Sequence, residues 1–121
     1  MNSDPVGYLT ACIAAVVLHE LAHVVAAIAL GVRVKRVGIS WRGPYIVREQ
    51  GTPLASFLIA LAGPGLNLLL AFGFWGFSPE FGLVNLLLGG YNLLPFIPGL
   101  DGSNALAALR KLRPFAPHDP V

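Results

Sequence analysis

The stretch VGYLTACIAAVVLHELAHVVAAIAL, residues 6–30, is apolar except for His19, Glu20 and His23. As an α-helix it extends about 37 Å, which exceeds the hydrocarbon thickness of about 30 Å of a bilayer. A cleaved signal peptide is the competing interpretation, but the residues before this stretch include Asp4 and neither lysine nor arginine. The stretch therefore predicts a first membrane-spanning helix.

The composition agrees with a membrane protein. Hydrophobic residues make up 55% of the 121 residues and charged residues only 12%, whereas soluble domains contain about 25% charged residues. So short a chain cannot bury this much apolar surface in one core, and disordered chains are polar. We expect the lipid bilayer as a partner. We expect no nucleic-acid partner. The net charge is +2, but the basic residues do not form a patch interleaved with aromatic residues. The single cysteine, Cys12, excludes an internal disulfide framework.

A short β-hairpin is expected after the first helix, over about 32–50. This segment is rich in strand-forming residues, and Gly43-Pro44 predicts the turn. A second apolar span follows over 54–76, with Gly63-Pro64-Gly65 and Asn67 near its middle. Proline at this position predicts a kink in a membrane helix.

The third apolar region covers 81–113 and is broken near Pro95–Gly99, where prolines cannot continue a helix. Asp101 to Asn104 offers N-cap residues for a final helix over 104–113. A flexible tail is expected at 114–121. The predicted fold class is an all-α membrane protein, one domain over 1–121, with three transmembrane spans and one hairpin.

The basic residues indicate an orientation. All eight lie in two clusters, and none lies before the first span or between the second and third. The clusters are Arg33, Lys35, Arg36, Arg42 and Arg48, and Arg110, Lys111 and Arg113. Three crossings place both clusters on one face, which the positive-inside rule makes cytoplasmic. We expect a multi-pass protein of the cell membrane with its N-terminus outside and its C-terminus in the cytoplasm.

His19-Glu20-Leu21-Ala22-His23 forms an H-E-x-x-H pattern in the first predicted helix. Histidines at i and i+4 point to the same side of a helix and can share one zinc ion, with Glu20 beside it as the general base. Ionisable groups inside a bilayer are costly and are usually functional. The alternative is that the two histidines only join helices by hydrogen bonds.

A catalytic zinc site needs a third protein ligand. Asp101 is the candidate because its depth matches that of His23: each lies about 13–15 Å of helix from the following basic cluster. His118, in the tail, is a poorer candidate. The alternative for Asp101 is an exposed N-cap on a final helix that lies flat on the membrane.

These residues together resemble a known family. His19-Glu20-x-x-His23, Asn92-Leu-Leu-Pro95 and Leu100-Asp101-Gly102 are similar to motifs of the site-2 protease family of intramembrane zinc metalloproteases. Gly63-Pro64-Gly65-x-Asn67 resembles the signature of that family's central helix. The resemblance covers roughly residues 10–112, the catalytic core, and the family has short strands where the hairpin is expected.

The resemblance implies a role for each matching residue. His19, His23 and Asp101 would bind one Zn²⁺ per chain, and Glu20 would be the general base. Asn67 would assist substrate or transition-state binding. Asn85, by contrast, is expected only to hydrogen-bond between helices, and Asn92 either does the same or holds the broken backbone near Pro95.

The predicted function is that of a zinc-dependent endopeptidase. It would hydrolyse peptide bonds within or near transmembrane segments of protein substrates, which the hairpin edge could hold extended. Three spans surround a metal site only thinly. We therefore expect that a second copy of the chain, or a different subunit, is a further candidate partner. Two alternatives stay open: a non-catalytic metal-binding membrane protein that binds partner helices, and a channel or transporter subunit with relay groups. Glu20 favours hydrolysis, because a purely structural zinc site does not need it.

Overall fold

The computed structural model of the protein describes residues 4–41 and 43–112. It is mostly helical, with one two-stranded antiparallel hairpin, as predicted. The elements in chain order are α1 (Pro5–Ala29), β1 (Val34–Ser40), β2 (Gly43–Arg48), α2 (Pro53–Phe74), α3 (Pro79–Asn92) and α4 (Asp101–Leu112). The predicted tail at 114–121 and His118 lie outside the described residues.

Helix α1 has two different faces. It begins after Asp4, whose carboxylate accepts a hydrogen bond of 3.1 Å from the backbone N–H of Val6. Its buried residues recur every fourth position and are small apart from the two histidines: Ala11, Ala15, His19, His23 and Ala27. The opposite face is an apolar stripe in which each side chain is more than half exposed: Leu9, Ile13, Val17, Leu21 and Val25. Small residues allow close helix packing, and the outer stripe is suited to lipid.

Helices α1 and α2 are, within the described part of the chain, the two that are long and apolar enough to cross a bilayer. Their most apolar 18-residue windows have mean hydropathies of 2.0 and 1.9. They correspond to the predicted spans at 6–30 and 54–76. Helix α2 continues through Pro64, whose side chain is fully buried.

The third apolar region forms two separate helices. Helix α3 has 14 residues and α4 has 12, and the prolines at 95 and 98 lie between them, so the predicted break is present. The start predicted for the last helix is wrong. Helical hydrogen bonding begins earlier, because the N–H of Asn104 already donates to the carbonyl of Leu100 at 3.0 Å. Asp101 is therefore the first residue of α4. A third crossing of the bilayer by this pair stays a prediction.

The hairpin has one difference from the expected turn. Ser40 pairs with Gly43 and Ile39 with Pro44, so Gly43 and Pro44 are the first two residues of β2. Gly43 has φ 113°, which favours glycine, and each strand of a two-stranded sheet is an edge strand that tolerates proline. The placement of the turn at Gly43-Pro44 was therefore wrong, although the hairpin itself lies within 32–50 as predicted.

Helix α2 is the centre of the helical packing. It packs against α1, α3 and α4, while β2 packs against α1. Its buried face includes Ile59, Gly63 and Asn67. The residues singled out in α1 and α4 therefore meet on one side of α2.

Candidate metal centre

Three side chains from two distant helices converge on one point. Nε2 of His19 lies 2.8 Å from Oδ2 of Asp101. Nε2 of His23 lies 3.2 Å from that oxygen and 3.2 Å from Nε2 of His19. The exposed fractions of His19 and His23 are 4% and 8%, and the Asp101 side chain is 16% exposed. The structure thus brings together all three residues predicted to bind the metal.

The other ring nitrogen of each histidine has a hydrogen-bond acceptor. Nδ1 of His19 lies 2.6 Å from Oδ1 of Asn67, and Nδ1 of His23 lies 2.6 Å from the main-chain carbonyl oxygen of Ile59. A carbonyl oxygen only accepts, so each Nδ1 carries the proton and donates. Each Nε2 consequently has a lone pair that points to the meeting point.

This arrangement fits a zinc ion. Two imidazole lone pairs and one carboxylate oxygen face one another at 2.8–3.2 Å, and none of the three atoms has a proton to offer in the neutral-imidazole, carboxylate state. The ligand atoms of four-coordinate zinc lie about 3.3 Å apart when the bonds are about 2.0–2.1 Å long. The donor set and its spacing therefore suit a shared cation, with a coordination position left open.

Glu20 lines the cavity beside this cluster. The cavity has a volume of about 320 Å³, and its wall also includes His23 and Asp101. Glu20 belongs to α1, is half-buried, and is one of the residues that line this space. The remaining lining residues come from β2, α2 and the start of α4: Ile46, Arg48, Ser56, Ile59, Ala60, Gly99 and Asn104. A carboxylate residue and a cavity thus adjoin the cluster.

Asn67 lies behind the cluster. Its side chain is fully buried, and its amide contacts His19, Asn85 and the carbonyl oxygen of Ala15. It is absent from the lining of the cavity that Glu20 faces. Asn67 is therefore placed to act on the His19 ring. Its role in substrate or transition-state binding, which the resemblance implies, stays a prediction.

Two glycines make room for the cluster. A Cβ atom on Gly63 would lie less than 3.0 Å from atoms of both the His19 and the His23 ring. A Cβ atom on Gly102 would lie less than 3.0 Å from the backbone of Leu93. Gly63 therefore lets the imidazoles lie against α2, and Gly102 lets the start of α4 approach the end of α3, which places Asp101.

Some of these contacts had no clear signal in the sequence. Ile59 acts through its main-chain carbonyl, which any residue supplies, so its identity carries no information. Asn85 did have a signal, because an asparagine in an apolar stretch is costly to bury without partners. Its hydrogen bond to Asn67 joins α3 to α2, in agreement with the predicted interhelical role. Asn92 donates to the carbonyl of Leu88 within its own helix.

Curated relatives identify the family. No protein-family model matches the chain. The chain is 33% identical over 85% of its length to a Synechocystis protein named "Putative zinc metalloprotease sll0528". It is 36% identical over 79% of its length to "Putative zinc metalloprotease Rip3" of Mycobacterium tuberculosis, and 31% identical over 78% to "Zinc metalloprotease MJ0392" of Methanocaldococcus jannaschii.

The matched region is a part of each relative. The chain spans 31%, 29% and 31%, respectively, of the lengths of these proteins. The matches extend over most of the chain. The two histidines of the H-E-x-x-H pattern lie close to Asp101 of the Leu100-Asp101-Gly102 motif. The chain belongs to the site-2 protease family of zinc metalloproteases.

Proposed function

We propose that the protein is a zinc-dependent endopeptidase that hydrolyses peptide bonds within or near transmembrane segments of substrate proteins. The observation that carries this proposal is the meeting of His19 Nε2, His23 Nε2 and Asp101 Oδ2 beside the cavity that Glu20 lines. The names of the relatives support a zinc metalloprotease.

His19, His23 and Asp101 would hold one zinc ion per chain. When bound, zinc supplies Lewis-acid chemistry, in that it polarises a carbonyl group and makes water more acidic. Glu20 then has the role of the general base: its carboxylate accepts a proton from the attacking water and delivers it to the leaving amine. Burial of the histidines keeps their rings fixed while the reaction proceeds in the cavity.

A membrane location supports cleavage within or near transmembrane segments. The outer face of α1 is an apolar stripe, and the centre lies on the inner face of the same helix. The protein is accordingly proposed to be a multi-pass protein of the cell membrane. In this proposal the N-terminus is outside, the C-terminus is in the cytoplasm, and α3 and α4 together make the third crossing.

The hairpin is the proposed place for the substrate backbone. Ile46 and Arg48 of β2 line the cavity, and β2 pairs with β1 along one edge. A substrate helix hides its peptide bonds in its own hydrogen bonds and must unwind before cleavage. Addition of the unwound segment to β2 would hold it extended beside Glu20. A second copy of the chain or a partner subunit is proposed to complete the shell around the three spans.

The substitution Glu20→Gln tests the proposal. The variant should keep one zinc per chain and lose cleavage by about 10²–10⁴-fold, because it removes the proton acceptor and leaves the ligands unchanged. The measurements are metal analysis of the detergent-purified protein and cleavage of a panel of fluorescently labelled transmembrane peptides. Glu80→Gln is the matched control, because Glu80 lies in the first turn of α3. Cleavage by the Glu20→Gln variant at the wild-type rate would refute the assignment.

The same experiment separates the alternatives. Wild-type protein that binds one zinc and cleaves none of the peptides would favour the non-catalytic metal-binding protein. Wild-type protein that binds no zinc would favour a relay function for His19, Glu20 and Asp101. The presence of Glu20 in the wall of the cavity favours hydrolysis over both.

A further inference from the structure

Two asparagines in the helical core form a hydrogen-bonded chain that ends on a proposed metal ligand. Asn67 and Asn85 are each 0% exposed, and with Pro64 they are the largest fully buried side chains among the described residues. This series of hydrogen bonds runs from Phe81 in α3, through Asn85 and Asn67, to His19 in α1. We propose that Asn85 is a positioning residue that sets, through the Asn67 amide, which ring nitrogen of His19 carries the proton. This proposal rests on the metalloprotease function proposed above.

The donor-to-acceptor direction of these hydrogen bonds is determined at Asn85. Nδ2 of Asn85 lies 2.8 Å from the main-chain carbonyl oxygen of Phe81. A carbonyl oxygen only accepts hydrogen bonds, so the NH₂ group of Asn85 must face it. The Oδ1 atom of Asn85 therefore points the other way, toward Asn67.

The orientation of the Asn67 amide follows from two acceptors. Its Nδ2 lies 2.8 Å from Oδ1 of Asn85 and 3.4 Å from the carbonyl oxygen of Ala15. Both partners accept, so the NH₂ group of Asn67 faces them and its Oδ1 faces His19. The Ala15 contact is the longer of the two, and Asn85 is therefore the stronger determinant of this orientation.

The consequence falls on the His19 ring. Oδ1 of Asn67 lies 2.6 Å from Nδ1 of His19 and can only accept, so Nδ1 is protonated and Nε2 keeps its lone pair. If the Asn67 amide turned over, its NH₂ group would face Nδ1 and the proton would move to Nε2. That tautomer directs the Nε2–H group at Asp101 and leaves no lone pair on Nε2 for a metal. The partner on the second nitrogen of a metal-binding histidine generally fixes its tautomer in this way.

The two histidines differ in how this control is achieved. His23 is held by the main-chain carbonyl of Ile59, which no substitution removes. His19 is held by a side chain that is itself oriented by another side chain from a third helix. The tautomer of His19 is therefore open to change by substitution at 85, a position that is linked to the ring by hydrogen bonds through Asn67.

The test compares the substitutions Asn85→Leu and Asn85→Asp. The leucine removes the acceptor for Asn67. A protonated aspartate keeps an oxygen facing the Asn67 NH₂ group and directs its O–H at the Phe81 carbonyl. Asn92→Leu is the matched control, because Asn92 lies in the same helix and, among residues 4–41 and 43–112, its side chain hydrogen-bonds to Leu88 of that helix. Two quantities are measured in detergent: side-chain ¹⁵N chemical shifts of His19 in the metal-free protein, and zinc affinity by chelator competition.

The expected result has two parts. Metal-free wild type, Asn85→Asp and Asn92→Leu show His19 protonated at Nδ1, whereas Asn85→Leu populates the Nε2-protonated tautomer. Zinc affinity falls about 10–100-fold in Asn85→Leu and stays close to the wild-type value in the other two. A loss of fold would release the rings of both histidines, whereas the proposal changes the tautomer of His19 alone. The chemical shifts of His23, which the main-chain carbonyl of Ile59 holds, therefore distinguish positioning from general destabilisation.

Two results would overturn the proposal. One is metal-free wild-type protein in which neutral His19 is protonated at Nε2 and not at Nδ1, a measurement that needs no variant. The other is folded Asn85→Leu protein with the wild-type tautomer and zinc affinity. Failure of the wild type to bind zinc would count against the proposed function instead, because the tautomer is read without metal.

Discussion

Oδ2 of Asp101 lies 3.2 Å from Nε2 of His23, although the two residues are 78 positions apart in the chain. Asp101 is the first residue of α4, and α4 packs against α2, which also packs against α1. The carboxylate therefore reaches the histidines from the start of a helix, where the helix dipole favours a negative charge. The alternative of an exposed N-cap does not describe this residue, because its side chain is only 16% exposed.

The first prediction concerns the third ligand. Asp101→Asn keeps the shape of the side chain but weakens its oxygen as a metal ligand. We expect zinc affinity to fall by more than the roughly 10–100-fold that follows loss of an outer hydrogen-bond partner. Chelator competition measures this, with Asp4→Asn at the start of α1 as the control. Unchanged affinity in Asp101→Asn would exclude Asp101 from the metal site.

The second prediction concerns the space beside the imidazoles. In Gly63→Ala the added Cβ would lie less than 3.0 Å from both histidine rings, so the rings must move and zinc affinity should fall by at least tenfold. Gly65→Ala in the same helix is the matched control, since beyond the local helix backbone no described atom lies within 4 Å of a Cβ built there. Chelator competition with both variants checks this. Equal zinc affinity would show that the rings can adjust to the added methyl group.

The third prediction concerns the contact between the ends of α3 and α4. In Gly102→Ala the Cβ would collide with the backbone of Leu93, which cannot rotate away as a side chain can. We expect a loss of stability of about 1–3 kcal/mol and a displaced Asp101. Thermal unfolding and zinc content are the measurements. Gly90→Ala in α3, where a Cβ meets nothing within 4 Å, should resemble the wild type in both.

The fourth prediction concerns removal of the metal. Zinc that binds only the folded protein stabilises it by about 2.7 kcal/mol when free zinc is 100 times Kd. Treatment with a chelator should therefore lower the unfolding temperature of the wild type, and added zinc should restore it. His23→Gln should show neither effect, because one ligand is lost. An equal response of His23→Gln to zinc would place the ion elsewhere.

The fifth prediction concerns the three crossings. In a Cys12→Ala background, single cysteines at Arg33, Ser78 and Lys111 report the exposed side of each connection. A membrane-impermeant thiol reagent added to right-side-out vesicles should label position 78 and should leave positions 33 and 111 unlabelled until the vesicles are opened. Labelling of positions 78 and 111 from outside, with position 33 protected, would mean that α3 and α4 do not cross together. Labelling of 33 and 111 but not 78 would reverse the orientation.

Much of the local structure followed from residue patterns. Apolar length predicted α1 and α2, and the prolines at 95 and 98 predicted the break after α3. Helical periodicity also predicted that His19 and His23 share one face, because positions i and i+4 of any α-helix do. The start of α4 and the hairpin turn were misplaced, since both depend on which residue makes the first hydrogen bond.

The amino-acid sequence by itself determined the helices, the histidine pair and the nature of the candidate ligands, because these depend on neighbours a few residues apart. Only the tertiary structure decided that Asp101 meets the histidines and that Asn67 faces a ring nitrogen rather than the cavity. These contacts join separate helices, and their geometry is set by packing. Two kinds of residue decide this geometry: glycines that allow helices to approach closely, such as Gly63 and Gly102, and buried amides with few hydrogen-bond partners. Neither kind leaves a periodic signal in the sequence.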